Sequence, residues 1–333
     1  MRRLLLRLRE GLRRQRSKPL ILMYHRVAEL RVDPWGLAVH PDRFAAHLAI
    51  LRAFRRPLAM SEFVNQARRG TLPRNAVAIT FDDGYADTLR QARPRLAAAG
   101  IPATLFLATA FVGQRVEYWW DELARSILER ADALEAEVQI AGEPWQLKLS
   151  AVDDAISDGA TWRAWRAPRT EREQLYYAVW ERLRPLRAPE RDDAMAQLRE
   201  VFRAPAPHSD NLPMTASEIR ELAADRLFEI GGHTATHSLL PQLTPAERRR
   251  DILDGRTACE RLTDQPATGF AYPHGASDAD SWAAVAECGF QWACTTQSRP
   301  VAAAEPDWYA LPRIPVFDWD APAFERELQM ACV

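Results

Sequence analysis

Short apolar runs alternate along this chain with stretches whose apolar residues recur at helical spacing. Pro19–Tyr24, Ala76–Phe81 and Ile101–Ala108 are apolar at nearly every position and rich in β-branched or aromatic residues. Such runs predict strands buried on both faces, as in a parallel sheet. Between them, Pro41–Leu51 carries Phe44, Leu48 and Leu51 on one helical face, and Ser61 before Glu62-Phe63-Val64 predicts a helix N-cap. Tyr85–Ala99 predicts a helix stopped by Gly100. The repeated strand–helix order predicts parallel βα units.

The rhythm breaks between about Gly113 and Pro213. Tyr118-Trp119-Trp120-Asp121 opens a helix expected to reach about Ala133. Val138–Leu149 alternates apolar and polar residues around Gly142-Glu143-Pro144 and predicts a hairpin. Charged helical stretches follow near Thr170–Leu183 and Glu190–Phe202. This region, 114–213, reads as a mostly helical insertion in a domain formed by 19–113 and 214–333. Trp119 and Trp120 have two readings, stacking on a sugar ring or anchoring the insertion. Beyond it, Thr215-Ala216-Ser217-Glu218 and Thr244-Pro245-Ala246-Glu247 are capping boxes. Gly269–Tyr272, Phe290–Cys294 and Leu311–Val316 predict further strands, and Ala323–Met330 a closing helix.

Composition narrows the function without identifying it. The chain has 333 residues, 47% of them apolar, and a formal net charge of -1. That is enough for a substantial core, and nothing in the overall charge points to nucleic acid. Its four cysteines lack Cys-x-x-Cys spacing and read as thiols of a reducing compartment. Residues 1–18 form a basic segment in which arginines interrupt the leucines too often for a signal-peptide core. It reads either as an amphipathic helix resting on an anionic membrane or as one packed on the domain by its leucines. The expected location is the cytoplasm, with peripheral contact to the inner membrane under the first of these readings.

The chemistry gathers at the strand ends, where ligands bind in α/β folds. Asp82-Asp83-Gly84-Tyr85 follows the strand at Ala76, and adjacent carboxylates there call for a cation or a proton between them. A turn in which one Asp caps the next helix is the bland alternative. About 150 residues further on, His233-Thr234-Ala235-Thr236-His237 follows Gly231-Gly232. Four apart on a helical turn, two imidazoles face one side and can share a metal. With one of the two Asp residues they give two imidazoles and a carboxylate, the open donor set of a catalytic site. His25 ends the first strand, while His40, His47 and His208 read as surface residues.

Thr80-Phe81-Asp82-Asp83-Gly84 followed by His233-Thr234-Ala235-Thr236-His237 resembles the polysaccharide deacetylase family, the NodB-homology or carbohydrate esterase family four proteins. Tyr272-Pro273-His274-Gly275 is similar to the tail of that family's third motif. The resemblance covers roughly 19–113 and 214–320. It implies an α/β fold, a distorted (β/α)7-type barrel, with a divalent metal, most often Zn2+, and removal of acetyl groups from sugars. By position it makes Asp82 the general base and Asp83, His233 and His237 the metal ligands. Tyr85, Tyr272, His274 and Arg313 are expected to contact substrate or orient the base. The family's third motif usually starts with an Arg where this chain has Ala271, and Arg313 is the candidate substitute. The family's late catalytic His is also absent, since no His follows His274.

The opening Leu22-Met23-Tyr24-His25-Arg26-Val27 resembles the branch that includes poly-β-1,6-N-acetylglucosamine deacetylases. That implies His25 as general acid, with His274 as the rival. The expected partner is an acetylated amino-sugar, either in a polymer or on a lipid or nucleotide carrier. The alternatives are a deformylase or O-deacetylase on a small or carrier-linked sugar, and a non-catalytic carbohydrate-binding module.

Overall fold

In the computed structural model, which describes residues 17–152, 161–203, 206–302 and 307–332, the apolar runs form strands. The expected basic segment lies outside the described residues except for Ser17 and Lys18. The chain divides into two units, residues 1–28, 38–112 and 214–333 forming the first and residues 29–37 and 113–213 the second.

The first unit is a curled parallel sheet. Its main strands are β1 (Leu20–Tyr24), β2 (Ala76–Phe81), β3 (Ala103–Leu107), β4 (Phe228–Gly232), β5 (Gly269–Ala271), β6 (Trp292–Cys294) and β7 (Ile314–Pro315), and the short Arg56–Pro57 pairs beside β2. They lie in the order β6-β5-β4-β3-β2-β1-β7, with every pairing parallel. One segment joins the two edges. Leu311 and Trp308 exchange backbone hydrogen bonds with Ala293 of β6 at 2.9 and 2.7 Å, and three residues on β7 pairs with β1. This is the distorted (β/α)7 barrel that the resemblance implied.

Strand alternation decides what points inward. Leu20, Leu22, Tyr24, Val77, Ile79 and Phe81 pack outward with the helices in one cluster. Ile21, Ala76 and Ala78 pack with Phe106, Ala271, Trp292 and Cys294 in a second cluster inside the curl. Side chains alternate with period two, so the inward series 76, 78 and 80 continues to Asp82. Inside, small residues leave room for polar groups. Outside, the large ones bury area worth about 25 cal/mol per Å².

Helices α1 (Pro41–Phe54), α2 (Met60–Arg68), α3 (Arg93–Ala99), α4 (Ala216–Ala223), α5 (Pro245–Thr263), α6 (Ala279–Glu287) and α7 (Ala321–Met330) belong to this unit. Both expected capping boxes are present, Thr215 with Glu218 and Thr244 with Glu247. Two local expectations need correction. The N-cap of α2 is Ala59, and Ser61 instead gives its backbone N–H and hydroxyl to the carboxylate of Glu229. The helix expected over Tyr85–Ala99 starts at Ala86, passes through a wide turn at Thr88–Ala92 and is α-helical again from Arg93. Pro94 has no N–H to give to the carbonyl four residues back, which favours the wider winding before it.

The second unit holds helices Trp119–Leu128, Glu171–Leu183 and Ala188–Phe202, and an antiparallel hairpin, Leu134–Ile140 with Glu143–Leu149. The first of these helices stops short of the expected Ala133. Trp119 and Trp120 are both buried in this unit, Trp120 stacked on Tyr118 and Trp119 beside Trp180, so neither ring is open to a sugar. No helix among the described residues is long and apolar enough to cross a membrane.

His47, expected on the surface, is fully buried on α1. Its Nε2 meets the Trp319 carbonyl at 2.8 Å, its Nδ1 the Tyr24 hydroxyl at 3.3 Å, and its ring stacks on Phe324. Burial pushes its pKa down to about 4, against a weaker upward pull from the Trp319 carbonyl. The unfolded chain therefore takes up this proton at a higher pH than the folded one. The stability contribution is full above about pH 6.5 and is lost as pH falls toward 4, roughly 3 kcal/mol in all. Denaturant unfolding at pH 7.5 and pH 5 should show the wild type losing about 2 kcal/mol more than His47→Phe.

Candidate active site

Asp82 leaves the C-terminal end of β2 pointing into the curl and is 2% exposed. Arg313, fully buried on the sealing segment, reaches it with both terminal nitrogens. Nη1 donates to Oδ1 at 2.6 Å and Nη2 to Oδ2 at 2.7 Å. Nη1 also lies 3.1 Å from the Thr80 hydroxyl, and Nε donates to the Thr295 carbonyl at 3.0 Å. The guanidinium is thus held on three sides. Burial alone would raise the Asp82 carboxyl, but the charge of Arg313, followed by that of His233, carries it below the usual carboxylate range.

Asp83 turns the other way because its backbone is left-handed, φ 73°. Its Oδ1 lies 3.5 Å from His233 Nε2 and 3.3 Å from His237 Nε2. His233 directly follows β4, and its Nδ1 lies 2.7 Å from the Ala271 carbonyl, which turns Nε2 toward Asp83. The His233–His237 stretch is a loop, not the helical turn expected from its spacing. Thr234 and His237 both have positive φ, 62° and 55°. The loop bends so sharply that His237 N–H bonds the Thr234 hydroxyl at 2.8 Å. The two imidazoles still converge, with ring centroids 4.8 Å apart.

Other expected site residues separate into near and far. His25 is near, with Nε2 4.0 Å from Asp82 Oδ2, and its side chain is 22% exposed where that of Asp82 is 3%. His274 sits against His237, ring centroids 4.6 Å apart. Tyr85 is fully buried beneath the guanidinium of Arg26, 4.2 Å from its ring centre. Tyr272 faces outward by strand alternation: it packs on Phe270 and donates its hydroxyl to the Tyr309 carbonyl at 3.0 Å. The expected substrate or orienting role for its side chain is therefore replaced by packing.

The family model for polysaccharide deacetylase matches residues 69–136 and 204–293, the two stretches that carry the paired carboxylates and the paired imidazoles. Over those two stretches the chain is similar to the polysaccharide deacetylase family. Solved structures share the fold of this chain. A deacetylase of Streptococcus pyogenes, PplD, solved with acetate, is 16% identical with a TM-score of 0.58 over 94% of this chain and 98% of its own. IcaB of Ammonifex degensii is 18% identical, with a TM-score of 0.56 over 94% and 97%. A de-N-acetylase of Aggregatibacter actinomycetemcomitans is 13% identical, with a TM-score of 0.55 over 93% and 99%. No curated protein matches the chain in sequence.

The donor set of this site fits a divalent cation. Asp83, His233 and His237 are all buried, and one ligand atom from each lies within 4.8 Å of the others. Burial would raise Asp83, yet hydrogen bonds from His233 and His237 hold it well below the usual range. Burial would likewise discharge His233, but Asp83 and then the Asp82 charge outweigh it and raise its pKa. A cation between the imidazoles and Asp83 would take the place of the proton that the neighbouring carboxylates otherwise favour on His233. The Ala271 carbonyl behind His233 is the outer-shell partner that metal-bound histidines usually have.

Two residues that support this site were missed by sequence reasoning. Asp251 of α5 accepts from the Thr236 backbone N–H at 2.9 Å and its hydroxyl at 3.0 Å, while its own carbonyl accepts from Ala235 N–H at 3.0 Å. One turn on, a Cβ at Gly255 would stand 2.6 Å from the Thr234 carbonyl carbon. Helix α5 thus lies directly against the ligand loop and ties down its strained backbone. A glycine in the middle of a long helix was the available signal.

Arg313→Met leaves Asp82 buried without a counter-charge. It should cost about 3–5 kcal/mol in denaturant unfolding. Asp82→Asn in the same background should recover part of that loss.

Proposed function

We propose that the chain is a metal-dependent hydrolase that removes N-acetyl groups from an amino-sugar in a polysaccharide or its precursor. The observation that carries this reading is the pairing of adjacent carboxylates with divided duties. Asp82 is locked to Arg313, and Asp83 is turned toward two imidazoles. The opening Leu22–Val27 supports the branch resembling poly-β-1,6-N-acetylglucosamine deacetylases.

Asp83, His233 and His237 would hold the cation, and two imidazoles with one carboxylate suit zinc. Bound there, a divalent cation would supply Lewis acidity, lowering the pKa of a water from 15.7 toward about 7 and polarising the acetyl carbonyl. Asp82 accepts the proton of the attacking water. Its lowered pKa keeps it ionised, and Arg313 fixes its plane, while each oxygen keeps a lone pair for the substrate side. The water oxygen bonds to the carbonyl carbon, which becomes tetrahedral. The C–N bond then breaks, and the nitrogen must gain a proton to leave as an amine. His25 supplies it, being the partly exposed imidazole 4.0 Å from Asp82. His274, against His237, is the rival donor. The products are acetate and a free amino-sugar.

Acetate release from an N-acetylglucosamine oligomer, measured with and without chelator beside the metal content of the purified chain, tests the reading. Asp82→Asn should keep metal and lose about 10²–10⁴-fold in kcat. His233→Ala should lose both metal and turnover. Undiminished turnover in Asp82→Asn would remove the base, and chelator-resistant turnover would remove the metal.

A further inference from the structure

His25 stands at the mouth of the site with a fifth of its side chain open, yet the backbone on both sides of it is fastened. On its N-terminal side, the Tyr24 carbonyl accepts from Asp82 N–H at 3.1 Å. On its C-terminal side, Asp87 uses both carboxylate oxygens. Oδ1 accepts from Val27 N–H at 3.1 Å, and Oδ2 from Arg26 Nε at 2.9 Å. Arg26 is fully buried, Asp87 is 6% exposed, and the guanidinium covers the Tyr85 ring. Arg26–Val27 also pairs with Ala38–Val39. The stretch Tyr24–Val27 is therefore stapled at both ends to Asp82–Asp87, the stretch that carries the base and a metal-facing carboxylate.

A buried ion pair is a costly way to gain stability, because desolvation offsets most of the attraction. What it does provide is one fixed arrangement of the two segments. Across the chain, that arrangement sets the spacing of His25 from Asp82, and a misplacement of about 1 Å at such a distance can cost 10²-fold in rate. We propose that Asp87, acting through Arg26 and the Val27 amide, is a positioning residue for His25. This rests on the reading of His25 as the proton donor.

The test compares His25→Ala, Asp87→Asn and the double variant in the full chain on two substrates. An N-acetylglucosamine oligomer has an amine leaving group that needs a proton. 4-Nitrophenyl acetate has a leaving group that departs without one. Asp87→Asn should lower kcat on the oligomer by about 10–100-fold with KM and metal content little changed, and leave aryl-ester turnover within about 3-fold. The double variant should be no slower on the oligomer than His25→Ala, because residues acting as a unit are not additive. Multiplying losses, or equal losses on both substrates, would overturn the positioning role and leave His25 as donor. Full oligomer turnover in His25→Ala would overturn the donor reading, and the positioning role with it. If Asp87→Asn does not fold, Arg26→Met with Asp87→Leu replaces the pair by apolar groups of similar size. That variant should give the same leaving-group-selective loss, and an unselective loss or none would count against the proposal.

Discussion

The two-bond ion pair between Asp82 and Arg313 is the constraint around which the barrel interior is arranged. Both side chains are buried, and each bond is under 2.8 Å. A carboxylate inside a sheet lined with alanine, phenylalanine and tryptophan would otherwise give up its charge. The guanidinium prevents that, and it is itself held by Thr80 and the Thr295 carbonyl. With Asp82 so occupied, its neighbour Asp83 is left to face the imidazoles. Two chemically identical side chains thus face different partners, a guanidinium for Asp82 and two imidazoles for Asp83.

The same division governs the histidines. His233 and His237 are placed by backbone: a strand end for one, a left-handed loop for the other, and α5 behind both. His47 shows that burial alone carries no chemistry. It is as enclosed as His233, but its hydrogen-bond and ring partners are a phenol, a carbonyl and a phenyl ring. The neighbours decide whether a buried imidazole takes up a proton or gives it away.

Much of the fold was legible in the sequence because parallel strands buried on both faces read as uninterrupted apolar runs. The paired Asp and His motifs stood out because their spacing and strand-end context have few other uses. The pairing of Arg313 with Asp82 could be suspected only because the usual Arg position holds Ala271. Its geometry depends on how the sheet closes, which no local pattern encodes. Tyr272 misled because a motif position says nothing about which face of a strand a residue takes, and period two turns it outward. Asp251 and Gly255 were hidden in an arginine-rich helix whose polar surface masks its one close face. The helical reading of 233–237 failed because i and i+4 residues also converge across a tight loop.

The counter-charge of Asp82 lies 231 positions downstream, on the segment that seals the sheet. An intermediate in which that seam is still open would expose or neutralise Asp82, whatever the state of the earlier strands. The buried, ionised carboxylate and the closed sheet therefore require one another.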